Sequence, residues 1–144
     1  MSAPHPASNS PVGLLMDTHT FLWLALEPSR LPARVLHTLT DPDARRCVSM
    51  ASFWEMGIKA AIGQLPQAGS LLALEARCAP EGIEVLPVRI EYVDRISRMP
   101  FPRVSGREHK DPFDRMIAAT ALTEGLTLLS ADAAFDAYGV HRQW

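Results

Sequence analysis

Residues 12–26 read VGLLMDTHTFLWLAL, and this stretch decides the fold. Val12–Met16 is a short apolar run without polar alternation, the pattern of a strand buried on both faces. It stops at Asp17. Phe21, Leu22, Leu24 and Ala25 then recur at helical spacing as far as Leu26. A buried strand running straight into a helix belongs to α/β proteins.

The rest of the chain repeats that alternation. Pro28 and Pro32 bracket a turn, and Pro32 opens a second helix to about Leu39. Arg46–Met50 reads as a second strand and Ser52–Ile62 as the next helix, stopped at Gly63. Ser70–Cys78 is helical. Ile83–Val88 is a third strand with Pro87 at its end. Ile90–Met99 is a helix with Ile90, Val93 and Ile96 on one side. Pro100 to Lys110 reads as a loop. Pro112–Glu124 is a strong helix ended by Gly125, Leu126–Leu129 a fourth strand, and Val140–His141 a short fifth. Strands separated by helices predict a mostly parallel sheet covered on both faces. Ligands of such sheets sit at the carboxyl ends of the strands.

The 144 residues suffice for one domain, with 47% hydrophobic and 21% charged residues, which excludes a disordered chain. No apolar run approaches the ~18–20 residues that cross a bilayer. Residues 1–11 carry Pro4, Pro6 and Pro11 with neither a basic start nor an apolar core. They read as a flexible tail rather than a secretory signal, ahead of a domain over 12–144. Cys47 and Cys78 lie in apolar-periodic segments and read as buried, reduced thiols, which points to the cytoplasm. The net charge of −2 argues against a nucleic-acid binder at first sight. That sign depends on where the acids sit. If four of them surround a metal ion, the balance of the remainder turns positive.

Four acids belong to one end of the predicted sheet. Asp17 follows the first strand, Glu55 lies one turn into the helix after the second, Asp114 lies one turn into the strong helix, and Asp132 follows the fourth strand. Each also has a local explanation. Ser52 to Glu55 has the form of a capping box. Asp111-Pro112-Phe113-Asp114 has the register of an N-cap, a first-position proline and a third-position acid. Asp17 and Asp132 are placed to cap the helices that follow them. Together the four are harder to dismiss. Two carboxylates about 5 Å apart repel by roughly 3 kcal/mol at an effective dielectric of about 20. Several would threaten a domain stable by only about 5–15 kcal/mol. A divalent cation or proton uptake removes the conflict, and oxygen-only ligands point to Mg²⁺ or Mn²⁺.

The chain resembles the PIN-domain nucleases, and within them the VapC-type toxins of bacterial toxin–antitoxin pairs. The resemblance rests on LLMDTHTFLWL (14–24), VSMASFWEMGIKAAIGQL (48–65), HKDPFDRMIAATAL (109–122) and LTLLSADAAFDAYGV (126–140), in that order. It implies a three-layer α/β/α fold and an endoribonuclease that hydrolyses phosphodiester bonds with Mg²⁺ or Mn²⁺. It carries the acidic cluster onto Asp17, Glu55, Asp114 and Asp132. Asp17 and Asp114 are expected to bind metal directly. Glu55 and Asp132 are expected to complete the site through water or a second ion. Ser130 is expected to hydrogen-bond the cluster. The resemblance also implies a homodimer, a cognate antitoxin whose tail enters the active-site groove, and RNA as substrate, with transfer RNA a common family target. A PIN nuclease of RNA processing or DNA cleavage is the nearest alternative.

Among the remaining residues, Asp111 reads as a cap rather than a ligand. Arg115 suits an RNA phosphate or a salt bridge equally. His19 and His109 flank the site segments without a zinc spacing and read as structural residues or as supports beside the ligands. Lys59, four after Glu55, suits an ion pair. Trp23, Phe53 and Trp54 read as core or dimer residues. Arg45, Arg46 and the arginines between 95 and 107 are candidates for a basic rim. A phosphoacceptor domain and a non-catalytic binding module are the rivals from other classes. The first lacks a lysine after a late strand, and the second has no need of the full acid set.

Overall fold

A computed structural model describes residues 13–65 and 68–144. The tail expected over residues 1–11 lies outside the described residues. Strands β1 (Gly13–Met16), β2 (Arg45–Ser49), β3 (Ile83–Leu86), β6 (Thr127–Leu129) and β7 (Arg142–Gln143) form one sheet in the order β3-β2-β1-β6-β7. Every pairing in it is parallel. β4 (Arg103–Val104) and β5 (Arg107–Glu108) make a separate antiparallel hairpin. The helices are α1 (Thr18–Leu26), α2 (Ala33–Leu39), α3 (Met50–Ala61), α4 (Leu71–Ala76), α5 (Ile90–Arg98) and α6 (Pro112–Glu124).

Strand alternation divides the core into two layers. Leu14, Met16, Val48 and Leu129 face one side, packed on Phe21, Val35, Phe53, Met56 and Leu74 of the first four helices. Leu15, Cys47 and Leu128 face the other, packed on Ile117, Ala118 and Ala121 of α6 and on Phe135. This is the three-layer α/β/α arrangement. β1 lies at its centre with its neighbours on either side, so residues just beyond its carboxyl end face the residues that follow β2 and β6. Both cysteines are buried and free, as expected.

Several boundaries differ from the sequence reading. Helix α3 starts at Met50 and its N-cap is Ser49, whose Oγ accepts the Ala51 N–H at 3.0 Å. The expected capping box at Ser52 therefore does not form. The segment read as a loop holds the β4–β5 hairpin, turned by Ser105 at φ 53° and Gly106 at φ 79°. Two successive positive φ values match the twist of a tight hairpin. The fifth strand lies at Arg142–Gln143, two residues beyond its expected place. On α5 the anchor is Tyr92, while Ile90 and Val93 point to solvent. Tyr92 carries more apolar area than either and its hydroxyl reaches Glu124 Oε1 at 2.7 Å, so it wins the buried face.

Candidate active site

Asp17 stands where β1 ends and α1 begins. It is buried, and both of its oxygens are occupied. Oδ1 accepts the Thr20 N–H at 2.8 Å, capping α1, and Oδ2 accepts the Ser130 hydroxyl at 2.5 Å. The Ser130 oxygen in turn accepts the Asp132 N–H at 3.0 Å, while Asp132 Oδ1 accepts the Ala134 N–H at 2.9 Å. One serine thus ties the acid after β1 to the acid after β6.

On the other side of Asp17, its chain neighbour Thr18 donates to Glu55 Oε1 at 2.6 Å and lies 3.0 Å from Ser52 Oγ. Glu55 is one turn further into α3 than the sequence reading placed it, and Lys59 Nζ sits 3.1 Å from its Oε2. The expected i,i+4 pair is therefore present, and it supplies Glu55 with a counter-charge.

Asp114 approaches from α6. The local reading of that helix start is correct: Asp111 Oδ1 accepts the Asp114 N–H at 2.9 Å, with Pro112 first in the helix. Burial and then the charges of Asp111, Glu55, Asp132 and Asp17 push the Asp114 carboxyl up to about 7. Asp114 thus feels the charges of all three other sequence-selected acids, while Asp17 and Asp132 also cap the helices that follow them. A cap uses one lone pair of a carboxylate, which has about four acceptor positions. The helix starts that accept these caps also bring their positive ends to the cluster.

The arrangement is open. Among the described residues, no three acids, histidines or cysteines stand close enough to form a ready-made metal cage. The donor chemistry nevertheless suits a hard divalent ion. Every acid offers oxygen, and the half-buried Asp114 carboxyl is crowded by like charges that a cation would offset. Mg²⁺ in particular binds through one or two carboxylates and keeps several waters.

Some candidates lie elsewhere. The Arg115 side chain turns away from the acids and is only 4% exposed. It donates to the Pro100, Ile96 and Met99 carbonyls at 3.0, 3.3 and 2.9 Å, and its guanidinium stacks 4.2 Å from the Phe101 ring centre. Neither the phosphate contact nor the salt bridge describes it. A buried guanidinium needs acceptors, and the carbonyls that follow α5 supply them. Arg45 and Arg46 are at the amino end of β2, opposite the acids. Arg45 pairs with Glu84 at 2.9 Å, and Arg46 donates to the Leu39 and Asp41 carbonyls. Arg95 donates to Thr123 and Arg98 pairs with Asp94.

Two side chains at the site, Thr18 and Tyr138, were given no place there by the sequence. Thr18 bridges to Glu55. His109, read as a structural or supporting residue beside the site, has Nε2 3.2 Å from Asp114 Oδ2 and Nδ1 2.6 Å from Tyr138 Oη. Trp54 is 64% exposed rather than core, with its ring edge-on to Phe113 at 5.1 Å.

A PIN domain family model matches residues 14–140, and the chain belongs to that family. Solved structures of low sequence identity share the fold. The DNA-bound VapBC of Salmonella typhimurium is 16% identical, with 92% of this chain and 97% of that one covered and a TM-score of 0.63. VapBC2 of Rickettsia felis, bound to a promoter DNA fragment, is 12% identical over 92% and 98%, with a TM-score of 0.64. VapBC-1 of nontypeable Haemophilus influenzae is 20% identical over 92% and 97%, with a TM-score of 0.59. No curated protein sequence matches the chain significantly.

Proposed function

We propose that this PIN-domain protein is a divalent-metal-dependent endoribonuclease and the toxin of a toxin–antitoxin pair. The observation that carries the reading is the Asp114 carboxyl, raised to about 7 by burial and by four neighbouring acids. A stable fold has no use for such a conflict, and a perturbed acid among neighbouring carboxylates at the strand ends is a mark of catalytic sites.

Asp17 and Asp114 would hold Mg²⁺ or Mn²⁺ directly, with Glu55 and Asp132 acting through water. Bound there, the ion supplies Lewis acidity that activates a water for attack on phosphorus and offsets charge on the departing oxygen. The protein's own task is orientation. Ser130 and the Thr20 N–H hold Asp17, Thr18 and Lys59 hold Glu55, and the Ala134 N–H holds Asp132. No activated serine or cysteine is present for a covalent intermediate among the described residues.

The toxin assignment draws support from the likeness to the VapBC complexes. A groove of about 170 Å³ between α1 and α3, bordered by His19, Trp23, Leu26 and Lys59, suits the tail of a cognate antitoxin. A homodimer is supported by exposed apolar residues, Met50, Trp54 and Ile58 on α3 and Ile90 and Val93 on α5. No helix among the described residues is long and apolar enough to cross a membrane. The buried free thiols fit action in the cytoplasm.

The test is RNA cleavage by wild type, Asp17→Asn and Asp114→Asn, with Mg²⁺ and with EDTA. Cleavage that needs Mg²⁺ and drops about 100-fold or more in either variant is expected. Equal cleavage by variant and wild type overturns the reading. A single-stranded DNA arm separates the ribonuclease from a DNA-cleaving PIN protein.

A further inference from the structure

Every polar group of His109 is engaged. Its backbone N–H donates to the Pro102 carbonyl at 2.8 Å, and its own carbonyl lies 3.2 Å from the Tyr138 hydroxyl oxygen. Its ring spans the gap between Tyr138 Oη at 2.6 Å from Nδ1 and Asp114 Oδ2 at 3.2 Å from Nε2. The Tyr138 ring packs edge-on to the imidazole, and the Arg115 guanidinium lies 5.9 Å from its centre. A side chain this constrained has one rotamer, and the group at its far end is a site carboxylate.

We infer that His109, held by Tyr138, is a positioning residue that aims the Asp114 carboxylate at the divalent ion. This rests on the metal-dependent reading above. In this arrangement the single Tyr138 hydroxyl proton goes to Nδ1, the nearer acceptor at 2.6 Å, and the ring hydrogen stands on Nε2 facing Asp114. That hydrogen bond occupies one lone pair of Oδ2 and leaves the remaining lone pairs of the carboxylate for the ion. Carboxylates and histidines that orient ligands in this way are worth ~10–100-fold in metal affinity or activity. The device also has a reach in sequence. Tyr138 ends the 3-10 helix that begins beside Asp132, so it links the α6 acid to the segment carrying the β6 acid.

The experiment uses the full chain and Mn²⁺ alone as probe. Mn²⁺ affinity, kcat and KM on RNA, and Tm are measured for His109→Ala, His109→Gln and Tyr138→Phe. Weaker Mn²⁺ binding by ~10–100-fold in His109→Ala is expected, with lower kcat and an unchanged KM for RNA. His109→Gln, which retains a donor near the Nε2 position, recovers part of the loss. Tyr138→Phe shifts both readouts the same way by less, and it carries the test if His109→Ala does not fold. Wild-type Mn²⁺ affinity in His109→Ala or in Tyr138→Phe overturns the inference, as does equal impairment of the Ala and Gln variants. A wild-type chain that binds Mn²⁺ and cleaves RNA alongside an unaffected His109→Ala removes this inference alone. A wild-type chain that does neither removes the functional reading as well.

Discussion

Ser130 donates its hydroxyl to Asp17 across 113 positions of sequence, and the same oxygen accepts the Asp132 N–H. Both partners become orphans if the hydroxyl is lost. Ser130→Ala is therefore expected to cost about 1.5–3 kcal/mol of stability, since one bond serves a charged group. It should also lower metal-dependent activity roughly 10-fold by freeing Asp17. Urea titration and RNA cleavage check the two effects. A variant with wild-type stability and rate would show that the bond positions nothing.

Stability without metal should depend on pH through Asp114. Its carboxyl sits at about 7 in the folded protein against an ordinary 3.8. Between those values the folded state keeps a proton that the unfolded chain has released, so raising the pH favours unfolding. Stability from this group is fully present below about pH 4 and is lost as the pH rises through about 7, an effect on the order of a few kcal/mol. In EDTA, Tm should fall between about pH 4 and pH 7, and saturating Mg²⁺ should flatten the fall. Asp114→Asn should remove the slope and raise Tm at the alkaline end while abolishing cleavage. The same slope in Asp114→Asn would rule out Asp114 as its source.

Arg115 is expected to matter for folding. Arg115→Met takes the guanidinium from the Pro100 and Met99 carbonyls and removes the stack on Phe101, while Ile96 keeps the Met99 N–H. A loss of about 2–4 kcal/mol should follow, and cleavage should decline with the folded fraction. Arg115→Lys keeps the charge but not the fork, and should rescue little. Undiminished stability with weakened RNA binding would instead favour a phosphate contact.

The apolar faces of α3 and α5 lead to a prediction about assembly. Trp54→Glu and Ile90→Glu alter exposed positions, so each should change stability of the isolated fold by less than about 0.5 kcal/mol. If two copies meet through these helices, light scattering should report a dimer for wild type and a monomer for the variant whose helix lies in the interface. A wild-type monomer, or two variants that both remain dimeric, would exclude these helices.

The elements that were legible are those whose local signals agree. VGLLM has no polar residue to place at a surface, and DPFDR combines cap, proline and acid in one register. The fifth strand and the β4–β5 hairpin have two residues per strand, too few for a period to show, and charges at Arg103, Arg107 and Glu108 disguise the latter. Helix α3 was placed two residues late because Ser49 serves both as the last residue of β2 and as the cap of the helix. The reading of α5 failed because Ile90, Val93 and Ile96 share a face that periodicity marks as buried, whereas packing selected Tyr92.

Sequence alone determined the order of strands and helices, the buried character of β1, and which four acids stand at strand or helix ends. Those properties follow from neighbours along the chain, where side-chain period and cap chemistry act. Only the tertiary structure decided that Ser130 reaches Asp17, that Thr18 reaches Glu55, and that Tyr138 holds His109 against Asp114. Parallel pairing of β1 with β2 and β6 creates those meetings, because it brings the carboxyl ends of strands distant in sequence to one edge. The raised Asp114 carboxyl is likewise a property of that edge, since burial and neighbouring charges act through space.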